Sequence, residues 1–410
     1  MDKIHVNVIG LGYIGLPTAM MMAAHGVQVV GTDLNRELVT TLQNGSMTFQ
    51  ENGIDDLYEA AVKAGIQFTT EYQNAEIYIV SVPTPYNKSN KHIDPTYVIS
   101  AVKTILNICE KGTVIVVEST VSPGTMDKYI RPLLAERGLT VGSDIHLVHA
   151  PERIIPGNMI QELLNNSRTI GADDPQIGEK VKALYQSFCK AEIEVTDIRT
   201  AEMTKVAENT YRCVNIAFAN ELAKICRRAN MDVYEVIRIC NMHPRVNILQ
   251  PGPGVGGHCI SVDPRFLVGD YPDLAKLVDA SLHINDSMPD YVLNRIHEIM
   301  LHNGMTDVSR VGLYGLTYKE DVDDCRESPT LQLLESQRRH LAAPLKVYDP
   351  MIQHKLVENQ YYNLDAFLAD VDLVVIMVGH NEIKHNMDKL NNKLVLDTRK
   401  VCTLPNVYRL

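Results

Sequence analysis

One cysteine stands out by its company. Cys259 lies in the run PGPGVGGHCISVDP, from Pro251 to Pro264, where prolines frame the segment and glycines open it. A thiol is often only a small core group, but its thiolate is a nucleophile that can form a covalent intermediate. Glycines would let reactants approach the sulfur, and prolines would limit how far the loop wanders. A second set is Lys205, Asn209 and Arg212, inside a stretch of about 197–229 that has no Gly or Pro. Their i, i+4, i+7 spacing puts an ammonium, a carboxamide and a guanidinium on one helix face. Such a stripe is either solvated surface or a set of donors facing an anionic reactant. Val206, Tyr211, Phe218 and Leu222 are expected to form another, packed face of the same helix.

Phosphate chemistry is suggested at the N-terminus. The apolar run Ile4 to Ile9 is followed by Gly10, Gly12 and Gly15, then by a helix-compatible stretch of residues 15–25. A second apolar run, Val27 to Val30, leads to Asp33. Strand, glycine turn, helix, strand and acid in this order form a dinucleotide fingerprint. Gly10 would make the tight turn, Gly12 would admit a pyrophosphate, and Gly15 would let the helix close on the strand. Asp33 would accept from both ribose hydroxyls and repel a 2′-phosphate, so NAD is expected over NADP.

Later segments build on that sheet. AEIYIVSVPTP, TVIVVEST and HLVHAPER are apolar runs that end in Thr84, Thr120 and the Glu152-Arg153 pair. In an open parallel sheet the carboxyl ends of the strands face the ligand, which makes Thr120 and Glu152 candidates. The last third repeats the plan: SRVGLYGLTYK echoes VNVIGLGYIG, LKVYDP echoes VVGTDL, and VDLVVIMVGH echoes AEIYIVSVP. It lacks the third glycine, so a mononucleotide or sugar nucleotide is expected there, with Lys319 as phosphate ligand and Arg326 preceding a helix capped by Ser328. The fold class expected is α/β, with two doubly wound Rossmann-like domains joined by a long central helix. The expected boundaries are 1–195 for the NAD-binding domain, 196–300 for a central helical domain, and 301–410 for the C-terminal domain.

Composition narrows the partners. The 410-residue chain carries a net charge of −11 and no run of Lys or Arg, which disfavours nucleic acid and anionic membrane. No apolar stretch approaches the roughly 18 residues of a membrane span. The eight cysteines form no CxxC pair and no zinc spacing with His, so reduced thiols, a cytoplasmic location and no metal are expected.

With these pieces in order along the chain, GLGYIGLP, ESTVSPGT, APER, EMTKVAENTYR, GPGVGGHCISVDP and YKEDVDDCRESP resemble the UDP-sugar 6-dehydrogenase family. Within it, RTAEMTKVAENTYRCVNIAFANEL and HPRVNILQPGPGVGGHCISVDP are most similar to the branch acting on UDP-N-acetylmannosamine. The branch acting on UDP-glucose usually has Ser before the cysteine and Lys shortly after, where this chain has His258 and Val262. The resemblance implies oxidation of a C6 alcohol to a carboxylate with two NAD in turn, through a thiohemiacetal and a thioester on Cys259. It implies that Lys205 assists proton removal and stabilises the substrate oxygen, that Asn209 donates to that oxygen, and that Asp263 holds Lys205 or a water. It implies that Glu152 serves thioester hydrolysis, with Thr120 positioning the water. Arg153, Ile154, Lys205, Asn209, Arg212, His243, Arg245, Gly256, Tyr318 and Lys319 are implied to hold the sugar nucleotide. Gly10, Gly12, Tyr13, Ile14, Gly15, Asp33, Thr84, Thr120 and Arg326 are implied to contact NAD. A two-fold homodimer through the long helix is also implied, with Arg245 reaching the neighbouring site.

Overall fold

The computed structural model describes residues 5–339, 345–405 and 407–410. Two compact units divide the chain, Met1–Glu208 and Asn209–Leu410.

The first unit is built on eight strands: β1 (His5–Ile9), β2 (Gln28–Thr32), β3 (Gln67–Thr69), β4 (Ile77–Val80), β5 (Thr113–Val117), β6 (Ile145–His149), β7 (Arg168–Ala172) and β8 (Ile193–Thr196). Their order is β3-β2-β1-β4-β5-β6-β7-β8. The strands run parallel except at the β6–β7 pair, where Val148 faces Ala172 and His149 faces Gly171 in antiparallel register. The expected first strand began at Ile4, which lies outside the described residues. Strands β4 and β5 are buried along their whole length, as continuous apolar runs in a sheet covered on both faces should be. The helix Gly15–Ala24 is buried at nine positions, from Gly15 to Ala23, which suits a segment apolar all round. Asn7, at 0% exposure, donates to the Val30 carbonyl (2.9 Å) and to Thr32 Oγ1 (2.8 Å), joining β1 to β2 beneath the turn.

The expected long helix runs from Ile198 to Arg228, 31 residues. The unit boundary falls inside it, after Glu208. Its apolar residues do not share one packed face: Val206 is 0% exposed, whereas Tyr211 is 62% and Phe218 50% exposed. The reason is rotation, because five residues turn the helix through about 140°.

The second unit holds helices Val233–Cys240, Asp263–Asp270, Lys276–Asp286 and Met288–His302 ahead of a second sheet. That sheet contains β9 (Val311–Tyr314), β10 (Lys346–Tyr348), β11 (Gln360–Tyr361), β12 (Leu373–Ile376), β13 (Leu394–Asp397) and β14 (Tyr408–Arg409) in the order β11-β10-β9-β12-β13-β14. All its pairings are parallel. The echo heard in the sequence extends to single hydrogen bonds. Gly10 N–H donates to the Thr32 carbonyl at 2.8 Å, and Gly315 N–H donates to the Tyr348 carbonyl at 2.8 Å. Both glycines have positive φ, 92° and 101°. Leu11 N–H donates to Asp33 Oδ2 (2.8 Å), and Leu316 N–H donates to Asp349 Oδ2 (2.5 Å). Among the described residues, no helix is long and apolar enough to cross a membrane.

Candidate active site

The glycine turn after β1 is shaped for a nucleotide. A Cβ on Gly15 would lie 1.9 Å from the Gly10 carbonyl oxygen, so only glycine lets this helix start there. A Cβ on Gly12 would meet nothing within 4 Å. The space above Gly12 therefore opens beside the N-terminus of a ten-residue helix, where a pyrophosphate is favoured by backbone N–H groups and the helix dipole. Asp33 accepts from the N–H groups of Leu11 and Asn35, each at 2.8 Å, which fixes its half-buried carboxylate beside the turn. Tyr13 stacks on Phe49 with ring centroids 4.6 Å apart, and Ile14 is half-buried next to it. These residues fit NAD.

The ends of β4, β5 and β6 are tied together. Thr84 Oγ1 donates to the Thr120 carbonyl at 2.7 Å, and Ser119 Oγ donates to the Val82 carbonyl at 2.6 Å. The loop after Thr120 is anchored to the long helix by Glu202, whose carboxylate accepts from the N–H groups of Gly124 (2.6 Å) and Met126 (2.9 Å). Burial pushes the Glu202 carboxyl up to about 7. Glu152 is buried in an ion pair with Arg168, and its Oε1 accepts from the N–H groups of Arg153 (2.6 Å) and Ile154 (3.2 Å). The Arg168 guanidinium lies 4.5 Å from the Tyr185 ring centroid. Tyr185 in turn donates to Glu118 at 2.9 Å. Arg153 itself is bidentate to Glu208 (2.6 and 2.9 Å) and also reaches the Ser167 carbonyl and Thr169 Oγ1. Its guanidinium thus braces β7 and the long helix.

Lys205 and Asn209 are buried, 6% and 4% exposed, while Arg212 one turn further on is exposed. The first two are therefore not part of a solvated stripe. In the second unit Asn209 Nδ2 donates to Asp263 Oδ2 at 2.6 Å. Asp263 opens the helix Asp263–Asp270, and its N–H donates to the Cys259 carbonyl at 2.8 Å. One hydrogen-bonded path thus runs from the long helix to the turn that carries the cysteine. Cys259 is half-buried, and none of the eight cysteines is joined in a disulfide. Burial, helped by the charge of Arg326, holds the neighbouring His258 imidazole below its usual range.

The glycines of this loop are also required by the protein around them. A Cβ on Gly256 would sit 2.7 Å from the Glu327 carbonyl oxygen and 2.7 Å from Tyr318 Cβ, and one on Gly257 would sit 2.8 Å from the Tyr318 ring. Gly254 and Gly257 also have positive φ, 138° and 81°. They let the loop lie against residues 318–329, a packing role beside the reactant access expected of them. Gly257 N–H donates to the Arg326 carbonyl at 2.8 Å, so the two stretches meet. The Arg326 side chain is paired with Asp324 (2.6 Å) and largely exposed. Tyr318 and Lys319 follow the second glycine turn and are half-buried. His243 and Arg245 are exposed, ahead of the loop.

Sequence reading passed over the residues that fix this geometry. Asn220, at 0% exposure, accepts from Gly252 N–H (2.9 Å) and donates to Asn285 Oδ1 (2.9 Å). Asn215 accepts from Leu249 N–H (2.9 Å) and donates to the Asn247 carbonyl (2.7 Å). The lead-in to the cysteine loop is thereby stitched to the long helix. Glu118, Arg168 and Glu202 were also missed. For Glu118 and Arg168 the available signal was a charged residue at the end of an apolar strand; Glu202, with Arg199 and Lys205 three positions away on the helix, gave none.

The doubly wound sheet, the glycine turn and its acid define an NAD-binding dehydrogenase architecture. Three family models cover most of the chain: the NAD binding domain of the UDP-glucose/GDP-mannose dehydrogenase family at residues 4–189, its central domain at 199–287 and its UDP binding domain at 312–404. The UDP-N-acetyl-D-mannosamine dehydrogenase of Methanococcus vannielii is 39% identical over 97% of this chain and 92% of its own. The NDP-N-acetyl-D-galactosaminuronic acid dehydrogenase of Ralstonia nicotianae is 39% identical over 96% of this chain and 95% of its own. The native structure of the UDP-N-acetyl-mannosamine dehydrogenase of Staphylococcus aureus superposes with a TM-score of 0.88 at 41% identity, covering 99% of this chain and 98% of that one. This chain belongs to the UDP-glucose/GDP-mannose dehydrogenase family. It is a dehydrogenase with an NAD-binding domain and a UDP-binding domain.

Proposed function

We propose that the protein oxidises C6 of UDP-N-acetyl-D-mannosamine to the uronate, acting in the cytoplasm as a step toward surface polysaccharide. The observation that carries the chemistry is the Asn209–Asp263 hydrogen bond at 2.6 Å, which links the buried helix face to the cysteine turn. The relatives named for N-acetylated sugars support the substrate.

Bound at the first glycine turn, NAD supplies a hydride acceptor, and one NAD is used for each of two oxidations. Lys205 assists removal of the C6 hydroxyl proton and, as an ammonium, stabilises the oxygen as it turns anionic. Asn209, oriented by Asp263, donates to the same oxygen. Sulfur of Cys259 adds to the resulting aldehyde and retains it as a thiohemiacetal, whose oxidation gives a thioester. Water then attacks the thioester carbonyl, its proton passes to Glu152, and the C–S bond breaks to release carboxylate and thiolate. Thr120, in the loop after β5, positions that water. Arg153, Ile154, Arg212, His243, Gly256, Tyr318 and Lys319 contact the sugar nucleotide; Thr84, Tyr13, Ile14 and Arg326 line the NAD side. The functional division runs 1–195, 196–300 and 301–410.

Assembly follows the same reading. Tyr211, Phe218 and Ile225 recur every seven residues on the long helix at 62%, 50% and 52% exposure, an apolar stripe suited to a second copy. Arg245 then serves the neighbour's site, drawing a cation to a diphosphate in an acidic protein.

The test is a panel of UDP-sugars with NAD, counting NADH per sugar. Two NADH and the highest kcat/KM are expected for the mannosamine compound, and UDP-glucose, which lacks the acetamido group, should react poorly. A higher kcat/KM for UDP-N-acetylglucosamine, UDP-N-acetylgalactosamine or UDP-glucose would reassign the sugar. One NADH per sugar would remove the thiol chemistry.

A further inference from the structure

Around Glu152 lies a buried cluster whose other members the proposed mechanism does not use. Glu118, Glu152, Arg168 and Tyr185 are 1%, 5%, 4% and 0% exposed. They come from the end of β5, the loop after β6, the start of β7 and the helix Pro175–Tyr185. The group holds two carboxylates and one guanidinium. Fully ionised, it would bury a net negative charge, which costs several kcal/mol without a partner.

The two carboxylates have different company. Glu152 faces donors that cannot accept a proton: the N–H groups of Arg153 and Ile154 and the Arg168 guanidinium. Such donors favour the anion. The Glu118 carboxylate is met by hydroxyls: Ser81 Oγ at 2.5 Å, Tyr185 Oη at 2.9 Å and Thr18 Oγ1 at 3.5 Å. A hydroxyl can receive a proton from a carboxylic acid as readily as it can give one to a carboxylate. His149, paired in register with Val117, adds no charge, because burial pushes its imidazole down to about 4. Cys189 lies within electrostatic reach of Arg168 and is buried.

We propose that the cluster's one retained proton resides on Glu118, and that Glu118 and Arg168 are positioning residues which together keep Glu152 ionised and fixed for its role in releasing the acid. The functional half rests on the reading of Glu152 given above. The placement of the proton does not. Burial and the charge of Glu152 push the Glu118 carboxyl up to about 7, in keeping with the geometry. Above that pH, Arg168 must serve two anions, so less of its charge is spent on neutralising Glu152. The acid-releasing step should therefore quicken as pH rises through neutrality.

Two measurements on the full-length protein test this. Infrared difference spectra of wild type against Glu118→Gln, near pH 6, should show the carbonyl band of a protonated carboxylic acid, and the band should fade as pH rises past about 7. A missing band, or one that persists in Glu118→Gln and disappears in Glu152→Gln, overturns the proposal. In steady-state kinetics, Glu118→Gln imitates the neutral acid. It should keep acid release within about threefold of wild type below pH 7 and lose the rise through neutrality. Arg168→Gln should move the acid limb of the same step to higher pH, and Arg168→Lys should restore part of the shift. A Glu118→Gln enzyme as slow as Glu152→Gln, or one with an unchanged pH profile, also overturns the proposal. If Glu152→Gln itself releases acid at the wild-type rate, the role given to Glu152 fails, while the infrared band still decides where the proton sits.

Discussion

Alanine at Gly12 and alanine at Gly15 should fail in opposite ways. At Gly15 the added Cβ would lie 1.9 Å from the Gly10 carbonyl oxygen, 3.1 Å from the Gly10 carbonyl carbon and 2.9 Å from Ser81 Cβ. Two of these three atoms are backbone and cannot rotate away, so the helix must lift off the turn. Overpacking of this kind costs about 1–3 kcal/mol, and a 1.9 Å approach belongs at the upper end. For a unit of this size, each kcal/mol lowers the melting temperature by about 2–4 °C, so a loss of roughly 5–10 °C is expected. At Gly12 the Cβ meets no atom within 4 Å, and the fold should be unchanged within about 0.5 kcal/mol. The methyl would instead occupy the space into which a pyrophosphate settles, raising the KM for NAD by about tenfold or more. Differential scanning calorimetry and NAD titration of both variants separate the effects. A Gly12→Ala protein that binds NAD as wild type does would refute the assignment of this turn to the pyrophosphate. A Gly15→Ala protein with unchanged melting would show that the helix has slack that the packing denies.

Cys259→Ser should abolish uronate formation, since a hydroxyl is a far weaker nucleophile at neutral pH; a serine variant making acid at near the wild-type rate removes the covalent step. Lys205→Ala should lower kcat far more than it raises KM, and the reverse pattern would demote Lys205 to a binding residue. Asn220→Ala strips partners from Gly252 N–H and Asn285, so a loss of about 2–4 kcal/mol is expected in urea titration, and a loss below about 0.5 kcal/mol would count against the stitching of the loop. Glu118 and Glu202 both have carboxyls raised from 4.5 to about 7. Their unfolded forms release the proton first, so stability is full below about 4.5 and falls as pH rises toward 7, by at most on the order of 3 kcal/mol for each. Gln at either position should flatten that decline in melting temperature between about pH 5 and 8, and an undiminished decline in both variants would refute the sign. Mixing Cys259→Ala with Arg245→Ala should restore about a quarter of wild-type activity if the arginine acts across a two-fold dimer; hybrids without activity would keep Arg245 in its own subunit.

What could be read from the chain was what its neighbours in sequence decide. The glycine turn, its helix and Asp33 lie within one short βαβ unit, so spacing alone defines them. Lys205 and Asn209 were legible as a pair because a helix converts four residues into one turn. The packing role of Gly256 and Gly257 was not legible because the atoms that crowd them belong to Tyr318 and Glu327, some 60–70 positions away. Glu118, Glu152 and Arg168 meet only because β5, β6 and β7 are adjacent in the sheet, and the last pairing reverses direction. No local pattern announces such a reversal. Tyr211 and Phe218 looked like core and are surface, because hydrophobicity records that a side chain will be covered and not which molecule will cover it.

The two glycine turns carry one further lesson, about what a repeated motif preserves. Asp33 and Asp349 occupy matching places in the two turns, and each receives the N–H of the leucine that follows the turn's glycine. Their constraints have nonetheless parted. Asp33 keeps a half-buried carboxylate beside an open turn. Asp349 is 0% exposed and also accepts from Thr317 and Met351, with His380 Nε2 at 3.2 Å. Burial works to raise its carboxyl, but His380 and these N–H groups outweigh that and hold it below the usual range. In one half the acid stays half-exposed beside an open turn. In the other it has been absorbed into the masonry, and natural selection would read the same mutation as lost activity in the first case and lost protein in the second.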